Sequence, residues 1–206
     1  MKPLDLFIRQ YVHPAMKAGG FVKKGRSFRR ESADGDVIFL QFATHHVEAD
    51  ATVFEVYFSI VPLVYWKWQR GNEVDPGKPD NSAVAIMRCP VMPPVEISYR
   101  PHGSGDFPER WVFRDEQSWV DSGAALSSLL VGTAIPKMEQ LLDRKALLEE
   151  FLNPTLPNIR LTGRELGEVV LSLDSAPREE IQEKLDALRG NELMRRFVTW
   201  AEGYPY

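Results

Sequence analysis

Between Gly19 and Pro62 apolar and polar residues alternate through three successive runs broken by turn residues, the pattern of an antiparallel meander. In Arg26 to Glu31, Phe28 is the lone large apolar residue among charges, which predicts a strand with most of its surface in water. Asp34-Gly35, a dipeptide tolerant of the positive φ angles of a two-residue hairpin, precedes Val37 to Thr44. That second run opens almost wholly apolar, as expected for a central strand covered on both faces. After the polar loop His45 to Ala51, the run Thr52 to Val61 puts Phe54, Val56, Phe58 and Ile60 on one face and Glu55, Tyr57 and Ser59 on the other. Pro62 removes a ladder donor and ends the pairing.

Helical periodicity flanks this meander. Leu4, Phe7, Ile8, Tyr11, Val12, Ala15 and Met16 recur on one helical face, with Pro3 in the first turn, where a missing N–H costs nothing. Pro14 should kink this helix near Tyr11 to His13, and Gly19-Gly20 followed by Phe21 reads as its C-terminal stop. From Tyr65 to Ser82 the chain turns polar, with a surface loop at Asp75 to Asp80. Short strands are predicted around Ala83 to Cys89, Val95 to Arg100 and Trp111 to Arg114, with Pro90, Pro93 and Pro94 between the first two barring a central position. Leu126, Leu129, Leu130, Ala134, Met138, Leu141 and Leu142 define a long helix bent at Pro136, and Arg144 to Leu152 a short one. Thr162 with Glu165 forms a capping-box signature before Leu166, Val169, Val170 and Leu173. Two more helices follow, marked by Ile181, Leu185 and Leu188 and by Leu193, Met194, Phe197, Val198 and Ala201. The pattern predicts an α+β fold: an antiparallel meander sheet covered by an N-terminal amphipathic helix over residues 1–142, with a helical C-terminal lobe over residues 143–206 packed on it.

A helix with a proline in its second half, then Gly20-Phe21-Val22-Lys23-Lys24-Gly25-Arg26-Ser27-Phe28-Arg29-Arg30, then Val37-Ile38-Phe39-Leu40-Gln41-Phe42 and Thr52-Val53-Phe54-Glu55-Val56, resembles the family of domains of unknown function numbered 4304. The match is best over residues 4–62, with a looser echo to about residue 142. The resemblance implies an α+β fold and mostly bacterial relatives; it implies no reaction.

Composition changes the picture in one respect. The 206 residues carry a net charge of -4, yet residues 1–30 hold eight Lys or Arg against Asp5 alone, so a segment of +7 sits on a remainder of -11. Such segregation steers an anionic partner or is neutralised within the fold. No apolar run approaches a bilayer span, no secretory signal opens the chain, and the single cysteine, Cys89, allows no internal disulfide; a soluble cytoplasmic protein without a membrane role is expected.

Candidate chemistry is sparse. Lys23, Lys24, Arg26, Arg29 and Arg30 surround Phe28, and Trp66 and Trp68 with Lys67 and Arg70 add aromatics, the mixture that nucleic-acid binders use. An acidic chain with a sequence pI near 5.6 argues against phosphate as the target, and charges on an edge strand also serve to block aggregation. Arg100, His102, Ser104 and Asp106 place a cation, a titratable ring, a hydroxyl and a carboxylate on one glycine-containing turn, the place where an enzyme acting on a small anionic substrate would keep its catalytic groups. His45, His46, Glu48 and Asp50 offer metal-ligating atoms but lack a second ligand group at a recognisable spacing, so no metal or cofactor is expected. Cys89 reads as a buried small hydrophobe. The leading expectation is a non-enzymatic module that presents a surface to a protein partner or ligand, comparable in class to toxin-neutralising immunity proteins; the alternatives are the anionic-substrate enzyme and nucleic-acid binding through Lys23 to Arg30.

Overall fold

The computed structural model describes residues 2–45, 50–71, 77–100 and 109–204, and for Leu193 the backbone alone. It is an α+β structure. Pro3–Phe7, Ile8–Val12 and His13–Ala18 run on as one helix, α1, whose middle segment is π-helical. The expected kink at Pro14 is thus taken up as a widened turn upstream, where the ladder shifts register to absorb the missing donor. Gly20, at φ 74°, ends the helix: its N–H bonds the Lys17 carbonyl at 3.1 Å, and Phe21 N–H bonds that of Met16 at 2.9 Å.

Strands β1 (Val22–Lys24), β2 (Ser27–Glu31), β3 (Val37–His45) and β4 (Thr52–Val61) form the antiparallel meander, one strand more than the alternation suggested. Phe28, the one apolar residue of β2, is fully buried beneath α1 rather than on a largely wet strand. The turn between β2 and β3 is also longer than the two residues expected at Asp34-Gly35, spanning Ser32 to Asp36. Ser32 N–H donates to the Asp36 carbonyl at 2.9 Å, Asp36 N–H donates to the Ser32 hydroxyl at 3.1 Å, and of the Asp-Gly pair only Gly35 takes a positive φ. That geometry turns the Asp36 carboxylate inward.

Its destination explains a helix that the local sequence did not reveal. Helix α2 (Leu63–Arg70) begins directly after Pro62, and its first N–H, from Leu63, is capped by Asp36 Oδ1 at 2.8 Å. The cap comes from another part of the chain, so no local signature marks it. Beyond α2, strands β5 (Met87–Pro90), β6 (Ser98–Tyr99) and β7 (Arg110–Phe113) complete the central segment. The upper half of β4 pairs with β5 and the lower half with β7, which in turn pairs with β6.

Helix α3 is built like α1: Glu116–Leu129, a π segment at Leu130–Ala134, then Ile135–Gln140, with Pro136 two residues past the π segment just as Pro14 is in α1. Asp115 caps it reciprocally with Ser118. The two helices lie side by side and run the same way. Phe7 meets Trp119 at 5.3 Å between centroids, the Tyr11 ring covers Gly123, Ser127 donates its hydroxyl to the Tyr11 carbonyl at 2.5 Å, and Ile135 closes on Gly19. A Cβ on Gly123 would fall 2.5 Å from the Tyr11 ring, so the approach requires glycine.

The C-terminal helices are α4 (Arg144–Leu152), α5 (Arg164–Ser172), α6 (Arg178–Leu188) and α7 (Arg195–Glu202). Between α4 and α5, β8 (Arg160–Leu161) joins β5, giving the order β1-β2-β3-β4-β5-β8. Thr162 N–H still bonds the Ile86 carbonyl just past β8, so Gly163 takes the N-cap of α5 and the expected Thr162–Glu165 capping box does not form. Phe151, Leu166, Val170, Leu185 and Phe197 share one continuous core with Phe7, Phe28, Phe54 and Trp111. The sheet therefore packs one face on helices from both ends of the sequence.

Candidate functional site

Strand registers determine what the other face carries. Among the described residues every buried apolar helix residue except Trp66 belongs to the helical-side core, while Trp66 packs with Val37, Phe39 and Val61 over one corner of the opposite face, aided by Leu63, Val84 and Ala85. At the lower end of this outer face Val53 and Val112 pair and are buried, and the rows between that pair and the Trp66 corner are largely polar. One row reads Val22, Arg29, Phe39, Ser59, Arg88 and Arg160 from β1 to β8; the next reads Lys24, Ser27, Gln41, Tyr57 and Pro90.

The chemistry of the two rows is specific. The Arg88 guanidinium lies 4.8 Å from the Tyr57 ring centroid, a stacking that fixes its plane while leaving its N–H groups available. Gln41 accepts from the Ser82 hydroxyl, which anchors the 77–85 loop beside the row. Ser59 is fully buried between Phe39 and Arg88, and its hydroxyl has no hydrogen-bond partner among the described residues. At the lower end, Arg110 Nε donates to Glu55 at 2.9 Å, and His45 Nε2 lies 3.1 Å from the same carboxylate.

The five basic residues singled out in the sequence do not form one patch. As alternation on β1 and β2 requires, Lys24 and Arg29 take the outer face, whereas Lys23 and Arg30 take the inner. Lys23 sits 6.0 Å over the Phe28 ring; Arg30 bonds the Gly19 carbonyl at 2.8 Å and pairs with Glu139; Arg26 pairs with Asp5 at 2.5 Å, a hydrogen bond that holds the Asp5 carboxyl below its usual range. Arg26, Arg29 and Arg30 are thus each answered by a carboxylate within the fold, Arg29 by Glu31 at 3.4 Å. Trp66 is 2% exposed, and Trp68 packs edge-on against Phe197 at 5.1 Å, so both serve cores. Arg100 is exposed and pairs with Glu109; His102, Ser104 and Asp106, like His46 and Glu48, lie outside the described residues. Among the described residues no group of three or more His, Cys, Asp or Glu side chains is placed to hold a metal ion, and no helix is long and apolar enough to cross a membrane.

Apart from the outer face, a cleft of about 530 Å³ opens where α1 and α3 begin, lined by Tyr11, Phe113 and Trp119 together with Asp50, Arg114 and Glu116. Cys89 points into the core, where burial foremost pushes its thiol up to about 12, far from a nucleophile's range.

Arg88 and Arg160 were not singled out by sequence reasoning. The available signal was period two: Met87 and Cys89 are core residues, so Arg88 between them must point away from the core. Comparison with protein-family models, curated proteins and solved structures returns no match.

Proposed function

We propose that this protein is a non-enzymatic interaction module whose outer sheet face docks a protein partner. The observation that carries the proposal is the arrangement of Arg29, Tyr57, Arg88 and Arg160 on a face that the helices leave to the solvent side of the sheet. Tyr and Arg are the residue types that dominate binding energy at protein interfaces, because each offers a large rigid contact surface together with directional hydrogen bonding. Here the ring and the guanidinium are already stacked, so little ordering entropy is lost on binding. The extended strands beneath them supply a stiff platform, β3 and β4 being paired over nine residue pairs.

Site-specific photo-cross-linking in cells tests this. A benzophenone amino acid at Tyr57 is expected to capture a discrete protein, whereas the same group at Val131, exposed on α3, captures none. Equal labelling from both positions, or none from Tyr57, defeats the proposal.

A further inference from the structure

We infer that the occupant of the outer face is an acidic protein surface, whose carboxylates pair with Arg88 and Arg160; this rests on the docking role proposed above. Several cations of the fold are answered internally. Arg26, Arg30, Arg110, Lys137 and Arg144 each meet a carboxylate within the chain. Arg88 and Arg160 meet none among the described residues, although they are direct partners in the β5–β8 register. Neighbouring strands lie about 4.8 Å apart, and like charges directly opposite on them repel. An intramolecular acid at either position would remove that repulsion, yet both positions hold arginine. An external carboxylate bridging the two relieves it and gains charge-assisted hydrogen bonds from two forks.

The charge of the whole face agrees. Its strands carry Lys24, Arg29, Arg88, Arg110 and Arg160 against Glu31 and Glu55, a net of +3, which leaves -7 on the rest of a chain whose total is -4. The positive charge gathered on this face favours a compact acidic patch as its partner. A nucleic-acid strand long enough to leave the face would extend onto a remainder of net negative charge, and a polyanion gains most where the whole domain is basic. Arg88, oriented by Tyr57, and the exposed Arg160 form the anchor, with Arg29 and Lys24 at the far end of the rows.

The test uses the full chain and four probes: a decaglutamate peptide, a decalysine peptide, a 20-nucleotide oligo-dT and inorganic phosphate, followed through the arginine side-chain Nε–H signals by NMR. Decaglutamate is expected to shift Arg88 and Arg160 saturably, with affinity falling several-fold between 50 and 200 mM salt, and an R88E/R160E double variant loses at least tenfold. An R9E/K17E variant, with the same charge change on the exposed surface of α1, retains binding, and circular dichroism checks that each variant folds. Tighter binding of oligo-dT, saturation by phosphate at the same concentration as the peptide, binding of decalysine, or no shift at these arginines each overturns the inference. The cross-link at Tyr57 separates the two levels. If it persists in R88E/R160E, the face still docks a partner but acidity is not what it recognises; if wild type gives none, the docking role itself fails.

Discussion

Replacing Glu150 by glutamine removes a charge from a site that supplies four donors. The carboxylate is 4% exposed and accepts from Lys137 Nζ at 2.8 Å, from the Thr155 hydroxyl at 2.8 Å, and from the N–H groups of Thr155 at 2.7 Å and Leu156 at 3.0 Å. Burial by itself raises the acid's pKa, but these hydrogen bonds, led by Lys137, outweigh it and hold the value at about 2 against an ordinary 4.5. The folded state therefore binds fewer protons than the unfolded chain between those two values, and stability rises with pH across that window. At 1.36 kcal/mol per pH unit, the interval is worth at most about 3 kcal/mol, fully present above pH 4.5 and lost as pH falls toward 2. Glutamine keeps the shape but turns one acceptor toward the donors as another donor, so E150Q should lose about 2–3 kcal/mol at pH 7. Urea unfolding of both proteins at a series of pH values measures this. Wild type should steepen its loss of stability below pH 4.5 while E150Q shows a shallower dependence; parallel curves, or a difference below about 0.5 kcal/mol at pH 7, refute the account. The physical stake is the α4–β8 connection, because the same carboxylate ties α3, through Lys137, to the loop at Thr155 and Leu156 that leads to Arg160.

Three further outcomes are expected. Gly167→Ala places a Cβ 2.0 Å from the Phe151 ring and should cost at least about 1–3 kcal/mol in chemical denaturation, with partial recovery when Phe151→Leu is added; full stability of the single variant contradicts the close α4–α5 approach. Arg144→Ala leaves Asp36, 1% exposed and otherwise gripped at 2.6 and 2.8 Å by that guanidinium, as an unpaired buried charge, so about 3–5 kcal/mol should be lost, and a loss under about 1 kcal/mol counts against the network. Cys89 should react with a thiol reagent at pH 8 only as fast as the protein opens and at full speed in denaturant; immediate labelling of the native protein shows the site to be accessible.

Much of the scaffold was legible because its signals are local. Thr52 to Val61 alternates so regularly that its bounds and its two faces follow from period two, and Arg144 to Leu152 matches its helix at both ends. Where the reading diverged, a residue outside the local pattern had taken over its role. The start of α2 is capped by Asp36 from the turn before the neighbouring strand β3; the Thr162–Glu165 signature is overridden because Ile86 claims the Thr162 N–H; the Asp34-Gly35 turn is lengthened by Ser32 bonding across it. The prolines were read as disturbances, and each is met by a π segment just upstream in helices that pack side by side, Tyr11 against Gly123 and Ser127.

The candidate surface was the least legible part, for a reason that applies to sheets in general. Clustering along the sequence drew attention to Lys23 to Arg30, yet consecutive strand residues point to opposite faces, so a run of charges on strands divides itself. A row across a sheet is assembled the other way, one residue from each strand, and its members need not be near one another in the chain. Period two assigns Arg88 to the outer face, but only the strand order sets Arg160 beside it and places the Tyr57 ring under its guanidinium. The two-residue β8 carries too little periodicity to be read as a strand at all, and it becomes one because the edge of β5 offers unpaired donors and acceptors beside it. A surface recognised through such a row is therefore fixed by topology before it is fixed by composition, and reversing charge at Arg160 alone, at the exposed edge, should weaken binding of an acidic probe without disturbing the core behind it.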